Sequence, residues 1–224
     1  MLVLSVDTSS SVCAVSLQEN NNLIDEIDLD NGKTHSENFM PIVAEILEKN
    51  NKELKDINLI AAVVGPGSFT GIRIGIASIK AIAEVYNIPV VEVTSLESLA
   101  RNVEVKEVVC SLIDAKNNQV YAGIFDSNYN KLENYMADDI NNVIESLKKY
   151  NNIIFVGDGA VKFEDLLKEN LKEIEFSDEN KQKAFSAGLI GIKKYENNEI
   201  KSADTINPIY LRKSQAERMK KSGN

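Results

Sequence analysis

The sequence predicts a duplicated α/β fold with two lobes, and three observations carry that prediction. The order strand, strand, strand, helix, strand, helix can be read twice, in units of about 100 residues, a common size for one folding lobe. Each unit opens on an apolar run ending in aspartate, MLVLSVD at Met1–Asp7 and EVVCSLID at Glu107–Asp114. Each of these is followed by a polar turn and a second apolar run, VCAVSL at 12–17 and VYAGIF at 120–125. Strands alternating with helical patterns imply helices layered on mixed sheets. No low-complexity linker separates the halves, so a shared helical interface is expected. The lobes fall at 1–103 and 104–207, with a basic tail at 208–224.

In the first unit, Met1–Asp7 is apolar almost throughout, as suits a strand buried on both faces. Thr8–Ser11 is a turn of small hydroxyls, Val12–Leu17 a second strand, and Leu23–Leu29 an alternating third strand after the turn at Asn20–Asn22. This is an antiparallel meander. Thr34-His-Ser-Glu37 has capping-box form, with Ser36 as a rival cap, and Phe39, Val43, Ile46 and Leu47 form the apolar stripe of the helix that follows. Pro41 should kink that helix or sit near its first turn. Asn58–Val64 is a buried strand, stopped by Gly65-Pro-Gly67. A helix over 70–86 then ends before Asn87-Ile-Pro89. Val90–Val93 and Ser95–Arg101 add a strand and a short helix, with Ser95 and Ser98 as candidate caps.

In the second unit, Ala115–Gln119 is the polar turn, Val120–Phe125 the second strand and Lys131–Met136 the third. Asp138 and Asp139 cap a helix running to Tyr150. Asn152–Val156 is a buried strand, and Gly157–Ala160 a glycine turn. Phe163–Leu171 and Ala184–Tyr195 read as helices, the latter rich in small residues at Ala187, Gly188 and Gly191.

Composition narrows the function classes. The 224-residue chain carries a net charge of −9, with 43% hydrophobic residues. An acidic chain is a poor stand-alone nucleic-acid binder, because repulsion of phosphates must be overcome locally. The exception is the tail, with Arg212, Lys213, Arg218, Lys220 and Lys221 against Glu217. No apolar run reaches the roughly 18 residues of a membrane span, and no basic segment precedes the first strand. A cytoplasmic protein without membrane attachment is therefore expected. Cys13 and Cys110 lie in strand-like runs and read as buried free thiols, in keeping with a reducing compartment. With His35 as the only histidine, a His-rich zinc site within one chain is excluded.

The stretch Gly65-Pro-Gly-Ser-Phe-Thr-Gly-Ile-Arg-Ile-Gly75 joins a buried strand to a long helix, and Ser68 and Thr70 can each cap that helix. Gly71, Gly75 and Ser78 form a stripe without bulky side chains beside Ile72, Ile76 and Ile79. Two glycines within a helix cost about 1 kcal/mol each, so another backbone should approach there. The turn itself supports two readings: tight turn with close helix packing, or a cradle for an anion on free N–H groups. Its spacing is neither the dinucleotide fingerprint nor a P-loop, and Ser68 does not sit in G-x-S-x-G. Asp7 and Asp114 each end a first strand. They either stabilise their turns or, facing one another across a cleft, help to hold a nucleotide phosphate and Mg²⁺. Gly157 and Gly159 either form a simple turn or admit an adenosine. His35 beside Ser36 raises a catalytic dyad, against the simpler reading of a cap or contact residue.

The duplicated plan, the GPGSFTGIRIG turn and Pro208-Ile-Tyr-Leu-Arg212 together resemble the bacterial TsaB (YeaZ) family, non-catalytic relatives of TsaD. The resemblance extends over MLVLSVDTSSSVCAVSL, His35–Pro41, Asp114-Ala-Lys116 and Val120-Tyr121. It implies a duplicated ribonuclease-H-like fold of the actin, sugar kinase and heat-shock chaperone (ASKHA) type. It also implies a role in making N6-threonylcarbamoyladenosine beside the anticodon of tRNA. In that pathway TsaC makes threonylcarbamoyl-AMP, TsaD transfers the carbamoyl group and TsaE is an ATPase. The implied partners are TsaD, TsaE and, indirectly, TsaC and tRNA, with a homodimer through the same face in isolation. The implied pairing face lies on the two helices of the first lobe, at Ser36, Phe39, Met40, Val43, Gly71, Ile72, Gly75, Ser78 and Ile79, where a partner helix or a neighbouring helix of this chain should fill the small stripe. No catalytic residue, metal or obligate cofactor is implied. A degenerate nucleotide site is expected at Asp7, Ser9, Ser10, Asp114, Lys116, Gly157 and Gly159, with ATP or ADP and Mg²⁺ as its ligand if it binds one. Lys116 stands where the family often has arginine. Two other functions stay open: an autonomous ATPase or kinase of the same fold, and a protease acting on TsaD.

Overall fold

The structure, a computed structural model, describes residues 1–104 and 107–212. The tail cations Lys213, Arg218, Lys220 and Lys221 lie outside the described residues.

Two five-stranded sheets repeat one plan. The first contains β1 (Leu2–Asp7), β2 (Cys13–Glu19), β3 (Asn22–Leu29), β4 (Leu59–Val63) and β5 (Val90–Val93), in the order β3-β2-β1-β4-β5. The second contains β6 (Val108–Asp114), β7 (Gln119–Asp126), β8 (Met136–Asp139), β9 (Ile153–Val156) and β10 (Ile174–Phe176), in the order β8-β7-β6-β9-β10. In both, the first strand is central. It pairs antiparallel with its hairpin partner, as Leu4 with Leu17 and Leu112 with Ala122, and parallel with the strand beyond, as Leu4 with Ile60 and Cys110 with Phe155. A central strand covered on both faces needs apolar residues on both, which explains the unbroken runs at 2–7 and 108–113.

The helices are α1 (His35–Lys49), α2 (Phe69–Tyr86), α3 (Ser95–Ala100), α4 (Ile140–Leu147), α5 (Asp158–Lys162), α6 (Glu164–Asn170) and α7 (Ala184–Glu196). α1 and α2 cover one face of the first sheet, packing Phe39, Val43, Ile46, Ile72 and Ile79 on Leu4, Val6, Leu17 and Ile60. The opposite face is covered from the far end of the chain, where Ala187 and Ile192 of α7 pack on Val3, Leu59, Ala61 and Val91. Conversely, α3, which follows β5, lies on the second sheet, with Leu96, Leu99 and Ala100 against Val109, Ile113, Tyr121 and Phe125. Each lobe thus contributes the inner helix of the other, and α3 and α7 touch at the junction. This is the shared helical interface expected between the lobes.

Thr34 caps α1 as its capping box predicts, with its N–H donating to Glu37 Oε2 at 3.0 Å, and the rival Ser36 does not. Several other local expectations change. Pro41 sits in the second turn on the exposed side, and the helix runs on to Lys49. The cap of α3 is Thr94 rather than Ser95 or Ser98: Glu97 N–H donates to Thr94 Oγ1 at 3.1 Å, and Thr94 N–H to Glu97 Oε2 at 2.7 Å. The third strand of the second unit is Met136–Asp139, not Lys131–Met136. Asp126 Oδ1 accepts N–H bonds from Asn128 and Asn130, which winds the chain into a turn, and Lys131 makes only an isolated bridge to Phe125. The glycine turn at 157 opens directly into α5, and α4 stops at Leu147, short of Tyr150. Both thiols are buried, which pushes Cys13 up to about 11 and Cys110 further. Among the described residues, no helix is long and apolar enough to cross a membrane.

Candidate functional site

The lobes face each other across a cleft of about 910 Å³. One wall is the Ser9–Val12 turn and the N-terminal ends of α1 and α2. The other is the Asp114–Lys116 turn with Asp158, and Arg212 stands at the rim. The repeat dictates this arrangement. The carboxyl ends of the two central strands point to the same side, so their hairpin turns oppose one another.

Of the seven residues expected to form a nucleotide site, four line the cleft and three do not. Ser9, Ser10, Asp114 and Lys116 line it. Asp7 lies fully buried beneath it, with Oδ1 accepting the Ser9 N–H at 2.7 Å and Oδ2 lacking a partner. Burial raises its carboxyl above the usual range, against the lowering by Ser9 and His35. Gly157 and Gly159 are wedged against β6. A β-carbon on Gly157 would stand 3.2 Å from Leu112 C, and one on Gly159 2.9 Å from the same atom. Their small size serves the packing of α5 on β6, in keeping with the simple-turn reading of the two glycines.

Asp114 is already engaged. Its Oδ1 accepts from the Lys116 N–H at 3.0 Å and from Lys162 Nζ at 2.8 Å, and its Oδ2 accepts from Lys116 Nζ at 3.0 Å. Burial pushes this carboxyl up, but Lys162 and Lys116 outweigh it and hold it below the ordinary aspartate value. Asp158, which the sequence reading passed over inside its glycine turn, accepts the Asp114 N–H at 2.9 Å and buttresses the same turn. Lys162 was likewise missed. Its spacing of four from Asp158 puts it one helical turn on, but nothing local points it at Asp114.

His35 Nε2 donates to the Ser10 carbonyl at 2.9 Å, which ties α1 to the first hairpin turn and leaves Nδ1 buried without a partner. Ser36 is exposed and bonds Thr34 Oγ1, so the two do not form a dyad. Ser68 is the cap of α2, accepting the Gly71 N–H at 3.2 Å. Among the described residues, no group of three or more His, Cys, Asp or Glu is placed to hold a metal ion.

The small stripe on α2 is filled from within the chain. A β-carbon on Gly71 would stand 2.8 Å from His35 Cδ2 and closer still to the Thr8 carbonyl. One on Gly75 would stand 3.3 Å from Thr8 Cβ and closer still to its Oγ1. The first hairpin turn packs here together with His35 at the start of α1, the neighbouring helix of this chain, and Thr8 Oγ1 donates to the Gly71 carbonyl at 2.9 Å. Phe39, Val43, Gly71, Ile72, Gly75 and Ile79 are all buried in the first lobe. Of the expected pairing residues only Ser36 and Met40 are exposed, Met40 by 46%, and Ser78 is half-buried. The apolar outward residues of the two helices are Met40, Pro41 and Ala44 on α1, with Ala77, Ala81 and Val85 on α2, Val85 being 71% exposed, and they stand among the exposed charges Glu45, Glu48, Arg73 and Glu84. Positions 77, 81 and 85 recur every four residues and form a small, apolar row opposite the core stripe.

Residues 30–219 match the family model described as TsaD, tRNA N6-adenosine threonylcarbamoyltransferase. The tRNA threonylcarbamoyladenosine biosynthesis protein TsaB of Bacillus subtilis is 32% identical over 162 residues, covering 70% of this chain and 71% of the relative. The protein of that name from Buchnera aphidicola of Schizaphis graminum is 30% identical over 184 residues, 77% of this chain and 87% of the relative. Among solved structures, YeaZ from Pseudomonas aeruginosa superposes with a TM-score of 0.76 at 21% identity, covering 93% of this chain and all of the other. An inorganic polyphosphate/ATP-glucomannokinase from Arthrobacter superposes with a TM-score of 0.54 at 12% identity over 87% of this chain and 99% of the other, a likeness of fold alone.

Proposed function

This chain belongs to the TsaB family of tRNA threonylcarbamoyladenosine biosynthesis proteins, and we propose that within that pathway it acts as a subunit that supports a TsaD-type transferase rather than as a transferase itself. The observation that carries the proposal is the outer face of α1 and α2. Met40, Pro41, Ala44, Ala77, Ala81 and Val85 present small or apolar groups to solvent on two long helices whose other faces are fully engaged by their own sheet. Small side chains let a partner's helices approach closely, and apolar area removed from water contributes roughly 25 cal/mol per Å². The state of the cleft favours a supporting role. Its second-lobe carboxylate is held by two lysines, and the glycines that would admit a nucleoside are packed against β6.

The test is reconstitution of tRNA modification from TsaC, TsaD and TsaE with and without this chain. Modification that depends on the chain, and falls with Ala81→Arg, supports the proposal. Full modification in its absence overturns it.

A further inference from the structure

The last described stretch, residues 201–212, is a strap that runs along the first lobe and crosses to the second at its end, where Arg212 stands at the rim of the cleft. It begins against the edge of the first sheet, where Lys201 pairs with Val90. Ala203 and Ile206 are buried in the first core, Asn207 N–H donates to Glu92 Oε1 at 2.9 Å, and Ile209 N–H donates to the Val64 carbonyl at 2.8 Å. Tyr210 then stacks on Phe69 in the first turn of α2, with ring centroids 4.7 Å apart and planes 8° from parallel, and its hydroxyl accepts from Arg73 Nε at 2.7 Å. From there the strap changes lobes. Leu211 packs on the inter-lobe face of the second sheet, and Arg212 Nη1 donates to the Ala115 carbonyl at 2.6 Å. Ala115 opens the second hairpin turn, in which Lys116, Asn117 and Asn118 all have positive φ.

The lobes are also joined through α3 and α7, where Ser95 N–H donates to the Gly65 carbonyl at 2.9 Å, Ser111 Oγ to the Leu96 carbonyl at 2.8 Å, and Lys194 pairs with Glu97 at 2.9 Å. Those bonds are buried or part-buried, whereas the end of the strap reaches the second lobe through an exposed ring and one guanidinium.

We propose that residues 210–212 are a releasable latch that sets how far the two lobes open. Tyr210 and Arg73 register the latch on α2, and Arg212 holds the second lobe through Ala115. An event that draws Arg212 away, or displaces Tyr210 from Phe69, frees the Asp114–Lys116 turn to swing from the first hairpin turn while the α3–α7 junction stays closed. The latch thereby links the N-terminal end of α2 to the width of the cleft. This inference does not depend on the identity of the partner.

Pulsed electron spin resonance tests it on the full chain. Nitroxide labels at Lys33→Cys and Val161→Cys report across the mouth, since both positions are exposed and both native thiols are buried. The unaltered latch should give one narrow distance. Arg212→Ala, and separately removal of residues 210–224, should add a longer, broader population, and amide exchange over 115–119 should rise about tenfold, the change expected from losing one charge-assisted hydrogen bond. Tyr210→Phe, which keeps the ring stack, should shift the distances less than Tyr210→Ala. Distances unchanged in both Arg212→Ala and the truncated chain overturn the latch. So does broadening that appears only together with faster exchange of the β6 amides, because that is general loosening rather than opening.

Discussion

Replacing Gly75 by alanine tests the packing of the first hairpin turn on α2. In an open helix this change stabilises by about 1 kcal/mol, since glycine is the poorer helix former by that amount. Here the new β-carbon would lie 3.3 Å from Thr8 Cβ and Cγ2 and nearer still to Oγ1, all in a buried site. Thr8 must move, and its bond to the Gly71 carbonyl at 2.9 Å is lost. Overpacking of this kind costs about 1–3 kcal/mol, and a buried hydrogen bond contributes about 1 kcal/mol. The net expectation is a loss of about 1–3 kcal/mol. Thr8→Ala alone removes the hydroxyl and Cγ2 and should cost about 1 kcal/mol. It leaves only Cβ at 3.3 Å, so in that background Gly75→Ala should become neutral or stabilising. The sign therefore reverses between backgrounds, and the coupling in the double-mutant cycle should exceed about 1 kcal/mol. Urea unfolding of the four proteins at one protein concentration measures it. An effect of Gly75→Ala that is the same in both backgrounds would refute the packing argument.

Three further outcomes are expected. The aspartates that end β1 and β6 should oppose each other in pH dependence. Asp114 is held below its ordinary value, so its contribution is present above the unfolded value near 4 and is lost as the pH falls, whereas Asp7 is raised, so stability declines as the pH rises from there. Urea midpoints between pH 3 and pH 8 should then show Asp114→Asn losing stability relative to the parent only on the neutral side, and Asp7→Asn gaining on that same side; parallel curves would contradict this. Cys13 and Cys110 should resist a disulfide reagent at pH 8 in the folded chain and react fully in denaturant, because both are buried and their thiolates disfavoured; fast reaction of the folded chain would exclude their burial. Ala77→Arg should leave stability within about 0.5 kcal/mol, as an exposed helix position, yet weaken binding of the TsaD-type partner at least about tenfold by calorimetry; unchanged affinity would move the interface elsewhere.

Much of the fold was legible because burial writes itself into residue order. The near-continuous apolar runs at 2–7 and 108–114 read as strands, and the structure buries them almost throughout because both faces are covered. The turns before α1 and α2 carried their caps in Thr34 and Ser68. The third strand of the second unit was misplaced because Asp126 closes a local turn with Asn128 and Asn130, and side-chain bonds of that kind compete with apolar alternation.

By itself, then, the sequence determined the two repeated units, the strand and helix runs within them, the buried thiols and a family signature in GPGSFTGIRIG. Only the tertiary structure decided which surface each helix covers. An apolar stripe reports that a helix face is buried, not what buries it. Thus Ile72 and Ile79 read equally as core or interface, and α3 and α7 gave no sign that each lies on the other lobe's sheet. Gly71 and Gly75 announced a close approach, but that Thr8 makes it depends on bonds and packing between residues more than 60 positions apart, and no local pattern encodes such a distance.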